Sequence, residues 1–291
     1  MTHLAAVLGV LIISFSAILV RLSGVSADTS AFFRTLYAIP VLLLLWLAFG
    51  SRGRSLKLQA LALVSGVFLG LDLAIWHRTI HWIGAGLATV LGNTQVIFVG
   101  IAAWLLHGER PRRAVLLGVP LAFFGMAFVS GLGRADAYGE YPLRGTFFGL
   151  LTGITYAIFL LVFRHATRKE ESPFAAFLVC TLGSLMATSA VGGLSGELEL
   201  AWSWPAHGWL IALALGSQVV GWLLIAYALP RLQAVETSVL LLLQPMATVL
   251  WGYLLFAEDL SSVQWLGVAL VLGGVTLPAL GAAHSSSHSK R

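Results

Sequence analysis

Apolar runs, each about as long as a bilayer crossing and broken by short polar turns, follow one another along nearly the whole chain. A spanning helix needs about 20 mainly apolar residues. Ten segments meet that requirement: 4–21, 31–49, 58–77, 84–106 and 113–131, then 144–163, 173–193, 206–228, 234–256 and 262–281. The pattern predicts an all-α integral membrane protein of ten transmembrane helices. The longest polar linker, 132–143, divides the chain into halves at 1–131 and 144–283, and the polar tail 284–291 (HSSSHSKR) reads as disordered. Only Met-Thr-His precedes the first apolar run. With no basic stretch before it, that run is expected to stay as a first helix rather than act as a cleaved signal.

The two halves echo each other. The stretch LLLLQPMATVLWGYLLFAEDLSSVQWLGVALVLGG, beginning at Leu240, aligns by a constant shift and without a gap on LGNTQVIFVGIAAWLLHGERPRRAVLLGVPLAFFG, beginning at Leu91. Gln95 falls on Gln244, Glu109 on Glu258, Gly118 on Gly267 and Gly125 on Gly274. Leu, Val and Gly match freely in an apolar chain, but Gln and Glu are scarce here, so those matches mark an internal duplication. Each half holds five helices. An odd number makes the second copy enter the membrane from the opposite side, so the expected architecture is two inverted five-helix repeats, with the substrate site between them near the bilayer midplane.

Composition sharpens this. Charged residues make up 10% of the 291 positions, against about 25% in soluble domains, and they cannot cover a water-exposed surface. The net charge of +5 sits in loops, where it sets topology instead of attracting nucleic acid. Lys and Arg gather after the second, fourth, sixth and eighth segments (Arg52, Arg54, Lys57; Arg110, Arg112, Arg113; Arg164, Arg168, Lys169; Arg231) and at the C-terminus. Both termini are therefore expected in the cytoplasm, with Arg21 an exception on the other side. Cys180 is the single cysteine, so no intramolecular disulfide exists.

Ionisable residues inside a bilayer are costly and tend to face a wet cavity or each other. Arg34 in the second segment and Asp72 in the third are the two that fall clearly within spans. Either they form a buried ion pair that fixes packing, or they bind a substrate or a proton. His77, at the expected end of the third segment, is a second candidate for proton coupling, although an interfacial histidine is the commoner reading. Helical spacing gathers further polar and aromatic residues into stripes: Ser65, Asp72 and Trp76; Thr152, Tyr156, Phe159 and Phe163; Gln218 and Trp222; Gln244, Thr248 and Trp251. Asn93 and Gln95 lie on different faces, so at most one of them points squarely into a cavity. Glu109 and Glu258 stand just before new helices at Pro111 and Ser261, which reads as N-terminal capping. The glycines at 145, 149 and 153, and at 66 and 70, read as close-packing positions. Nucleophile elbows, zinc-binding H-E-x-x-H and phosphate-binding loops are absent, so neither an enzyme nor a cofactor is expected.

Gln244-Pro245, then Glu258, Leu266-Gly267 and Gly273-Gly274 resemble the repeat signature of the EamA branch of the drug/metabolite transporter superfamily, and Arg34 after Phe32-Phe33 resembles its second-helix arginine. Val96 stands where the repeat would place a proline in the fourth segment, so any bend there needs another cause. Within the family, Asn93-Thr94-Gln95 and the aromatic stripes are most similar to the YddG-type exporters of aromatic amino acids. The resemblance implies an alternating-access exporter of amino acids, aromatic ones included, in the bacterial inner membrane, and its paired halves let a monomer suffice. The first-helix glutamate that small multidrug resistance proteins use has no counterpart beside Ser14 and Ser16. Arg34, Asn93, Gln95, Gln218 and Gln244 are the candidate partners of a substrate carboxylate or polar group. Asp72 is the candidate for the ammonium, and Trp76, Tyr156, Trp222, Thr248 and Trp251 for the remaining wall. Alternatives are a different metabolite or a drug as substrate, or a membrane scaffold or receptor that transports nothing.

Overall fold

The computed structural model describes residues 2–50, 55–107, 113–129, 138–167, 174–228 and 234–288. Glu109, most of the loop cations and the tail end at 289–291 lie outside them. Among the described residues the protein is helical throughout, in the order α1 (Thr2–Ser14), α2 (Ser16–Ser23), α3 (Ala27–Phe49), α4 (Leu56–Gly92), α5 (Gln95–His107), α6 (Arg113–Val129), α7 (Pro142–Ala166), α8 (Phe174–Ser195) and α9 (Ala206–Ala212). A π-helical stretch, Leu213–Gly221, then leads into α10 (Trp222–Ala228), α11 (Ala234–Phe256) and α12 (Ser262–His288). Among the described residues, six helical stretches are long and apolar enough to cross a membrane, and Leu116–Val129, Leu243–Phe256 and Ser262–Gly274 are shorter apolar helices.

The third predicted segment does not end at 77. Helix α4 runs on to Gly84, whose φ of 85° and ψ of 167° break it, and a positive φ is a conformation that glycine adopts at least cost. A straight helix would hold Trp76 and Gly92 about 24 Å apart. Here a Cβ placed on Gly92 would lie 3.8 Å from the Trp76 ring, so the two arms of α4 fold back as a hairpin. His77 consequently lies inside a longer helix instead of at its end. It is fully buried, and its Nδ1 is 2.7 Å from the Ser30 hydroxyl.

Glu258 is a cap, as its position suggested, but of another helix. Its carboxylate accepts the backbone N–H groups of Ala85 (2.7 Å) and Gly86 (3.0 Å), the first residues after the break in α4, and it pairs with Arg21 at 2.5 Å. Helix α12 is capped instead by the Ser261 hydroxyl, which accepts the Gln264 N–H. The Arg21 side chain, which stood out in the charge distribution, is thus neutralised by a carboxylate.

With nothing but lipid outside, helix association depends on close backbone approach, and the glycines provide it. Gly145 and Gly149 of α7 abut Ile83 and Leu91 of α4; Gly66 and Gly70 of α4 abut the backbones at Cys180 and Ser184 of α8. Between α6 and α12 the contacts are reciprocal. A Cβ on Gly125 would lie 2.8 Å from the Gly267 carbonyl oxygen, one on Gly267 2.7 Å from that of Gly125, and one on Gly274 2.6 Å from that of Gly118. Pairing 118 with 274 and 125 with 267 runs the two helices antiparallel.

Gly66→Ala places a methyl group against the Cys180 carbonyl and is expected to destabilise the protein by about 1–3 kcal/mol. Gly193→Ala, with nothing within 4 Å of the new Cβ, is expected to leave stability unchanged or to raise it by up to about 1 kcal/mol. Thermal unfolding of the purified protein in detergent measures both.

Candidate functional site

Three of the helices that surround the centre of the bundle are irregular there, and the side chains show why the irregularities are tolerated. Backbone groups freed inside a membrane must find partners within the protein. At Phe15, between α1 and α2, the Ser14 carbonyl accepts the Thr248 hydroxyl at 3.0 Å and the Ser14 Oγ accepts Trp251 Nε1 at 3.1 Å. Between α4 and α5 the chain turns at Asn93 and Thr94. There the Asn93 amide donates to the Thr89 carbonyl (2.8 Å) and the Thr94 hydroxyl to that of Leu91 (2.6 Å). This break supplies the bend that no proline provides, whereas α11 runs unbroken through Pro245. The third irregularity is the π-helical stretch, a form found mostly as short bulges and frequently at functional sites.

The breaks at Phe15 and Asn93, and Trp222 just after the π-helical stretch, border one cavity of about 60 Å³, walled by Ile13 and Ser16, Arg34, Leu69, Asp72, Leu73 and Trp76 of α4, Thr89, Gly92 and Asn93, Thr152 and Tyr156, Trp222 and Gln244. Its charged members come from adjacent helices. Arg34 is buried and its Nε donates to Gln218 Oε1 at 3.0 Å, while Nη1 has no hydrogen-bond partner. Asp72 is buried on the facing helix, with Oδ1 unpartnered, and the Thr152 hydroxyl is unpartnered too. Arg34 and Asp72 make no direct ion pair: the two ion pairs among the described residues are Arg21–Glu258 and Arg78–Asp28. One wall is aromatic. The Arg34 guanidinium lies 5.8 Å from the Trp76 ring, Tyr156 meets Trp222 edge-on at 6.4 Å, and Phe159 stacks behind Tyr156 at 5.7 Å.

Seven of the residues expected to bind substrate line this cavity: Arg34, Asp72, Trp76, Asn93, Tyr156, Trp222 and Gln244. The others do not. Gln218 is fully buried behind Arg34 and orients it. Thr248 and Trp251 staple the break in the first span, and the Trp251 ring packs on Phe15 at 4.7 Å. Gln95 lies past the turn, off the wall that Asn93 joins. His77 follows Trp76 but is bonded to Ser30, with Nε2 unpartnered. Sequence periodicity did not mark Ser16, Thr89 and Gly92 as wall residues. The signal was available for Ser16, which sits in an unusually polar patch of the first apolar run. It was not available for Thr89 and Gly92, whose place follows from the hairpin at Gly84. Among the described residues, no three His, Cys, Asp or Glu side chains gather as a metal site.

A multi-pass helical membrane protein with a polar cavity between interrupted helices is built to pass a small molecule across a bilayer. The chain belongs to the EamA-like transporter family, whose sequence model matches residues 1–131 and 143–279. It is similar to an uncharacterized transporter of Archaeoglobus fulgidus, 29% identical over 72% of this chain and 73% of the relative. A shorter likeness, 36% identical over 35% of this chain and 89% of the relative, is to a probable 4-amino-4-deoxy-L-arabinose-phosphoundecaprenol flippase subunit of Pseudomonas fluorescens. A solved crystal structure shares the fold at a TM-score of 0.63, with 18% identity over 98% of both chains.

Trp251→Phe keeps the ring but loses the bond to Ser14. The expected result is a loss of about 1 kcal/mol in stability with transport unchanged, read from thermal unfolding and vesicle uptake of the same preparation. Altered substrate affinity in this variant would return Trp251 to the binding wall.

Proposed function

We propose that this protein is an alternating-access secondary transporter that exports amino acids, and that Arg34 and Asp72 hold the two charged ends of the zwitterion. The observation that carries this reading is the unpaired state of the two groups. Breaking a buried ion pair by removing one partner costs about 3–5 kcal/mol, because a charge is left without compensation. Two opposite charges buried on one cavity wall, near each other yet not joined, are poor packing elements. They are suitable partners for a substrate carboxylate and ammonium, each of which would satisfy a free Nη1 or Oδ1. Asn93 and Gln244 add neutral hydrogen-bonding groups, and Trp76, Tyr156 and Trp222 an apolar wall.

The cavity of about 60 Å³ is smaller than an engineered cavity that admits benzene, which measures about 150 Å³, so an aromatic amino acid enters only when the walls part. Asp72 is the first group a proton gradient would address, with His77 next. The reciprocal glycine contacts of α6 and α12 support ten helices in two inverted halves, because residues matched by the internal repeat meet in exchanged pairs, as a two-fold axis between antiparallel helices produces. The distribution of Lys and Arg supports cytoplasmic termini.

Uptake of labelled amino acids into proteoliposomes tests the proposal. Saturable uptake is expected to be competed by free amino acids, but not by their N-acetyl or carboxamide forms. Arg34→Gln and Asp72→Asn are each expected to weaken apparent affinity by about tenfold to a hundredfold. Equal competition by the blocked forms, or wild-type affinity in both variants, would overturn it.

A further inference from the structure

The strongest feature outside the cavity is the seat of Glu258. Its carboxylate is 2% exposed and sits where three glycines make room. A Cβ on Gly84 would lie 2.7 Å from its Oε1 and one on Gly86 3.2 Å from its Oε2, and one on Gly252 would collide with it outright. Around this seat the carboxylate accepts Arg21 Nη1 (2.5 Å) and the N–H groups of Ala85 and Gly86. Arg21 also lies 4.1 Å from the Phe256 ring and 3.5 Å from the Tyr138 hydroxyl. Three helices therefore converge on one carboxylate: α2 through Arg21, the second arm of α4 through its N-terminus, and α11 through Gly252 and the turn that follows.

The same helices wall the cavity a short distance away. Ser16 lines it from α2, Thr89 and Gly92 from α4, and Gln244 from α11. Counted along each helix at 1.5 Å per residue, the wall positions stand about 6 Å from the cap on α4, about 8 Å on α2 and about 12 Å on α11. Splaying these helices apart at this end would open a mouth to the cavity, and it would break the ion pair and the two amide bonds together.

We infer that Glu258 is the gate of the cavity at this end: its carboxylate holds the mouth shut, and the transport cycle releases it. The inference rests on the alternating-access reading above and adds to it the residue that holds one closed state. A mere staple of the fold would support stability without biasing which side of the membrane reaches the cavity. A gate biases the side.

Side-specific labelling separates the two. In a Cys180→Ser background, Thr89→Cys places a lone thiol on the cavity wall. A membrane-impermeant maleimide is applied to each face of sealed vesicles in turn, using the full chain. Glu258→Gln and, as a second variant that keeps the amide cap, Arg21→Gln are each expected to raise labelling from one face by about tenfold, with no rise from the other. Unchanged labelling from both faces in both variants, or an equal rise from both, would overturn the gate. Because labelling needs no substrate, a one-sided rise in protein that takes up no amino acid would keep the gate and remove only the substrate assignment.

Discussion

In the hydrocarbon core of a bilayer every backbone N–H and C=O must be satisfied by the protein itself, and the architecture of this chain follows from how it meets that demand where helices are interrupted. Each interruption brings its own polar side chains. Thr248 and Trp251 serve the break at Phe15, and Asn93 and Thr94 serve the turn between α4 and α5. Glu258 serves the new helix that begins after Gly84. At Phe15 and Gly84 the cost of irregular backbone is met by residues on other helices, so those two breaks also tie distant segments together, whereas the turn at Asn93 is served by its own side chains. The cavity lies where two of these breaks and the π-helical stretch meet.

Glycine plays the complementary part. Where helices must pass at backbone contact, as α4 does with α7 and α8 and as α6 does with α12, a side chain on either partner would force them apart. Around Glu258 the same absence of Cβ atoms makes space for a functional group instead. One composition feature, many glycines in an apolar chain, thus serves both tight packing and the seating of a buried charge.

Much of the fold was legible because it depends on local pattern. Apolar runs of spanning length and the glycine spacing at 145, 149 and 153 each report on one helix at a time. The candidate site was partly legible for the same reason: a polar residue within an apolar run, such as Asp72 or Asn93, signals a cavity wherever the helix ends up. What periodicity does not carry is the partner. Thr248 and Trp251 share a helical face with Gln244, yet the kink at Phe15 engages them while Gln244 faces the cavity. Gln218 shares a face with Trp222, yet its Oε1 is taken by Arg34. Glu258 was readable as a cap, but the helix it caps lies far back in the sequence, and only the hairpin at Gly84 brings that N-terminus within reach.

The disposition of charge differs between two kinds of site within one molecule. At Glu258 and Asp28 the protein brings an arginine to each buried carboxylate at 2.5 Å; backbone amides complete the shell of Glu258, and a serine hydroxyl joins Arg78 on one oxygen of Asp28, whose Oδ1 stays unpartnered. Those sites show that this chain brings an arginine into direct contact with some of its buried carboxylates. At the centre it does not. Arg34 is turned by Gln218 so that one guanidinium nitrogen stays free, and Asp72 keeps a free oxygen on the same cavity. A helix pair that needed only neutralisation would gain by closing that gap, since each unsatisfied buried polar group costs about 1–3 kcal/mol and charged groups more. The open arrangement stands where a visiting molecule with both charges would complete it, and the proposed transport site rests on that pair of opposite charges held apart on one cavity.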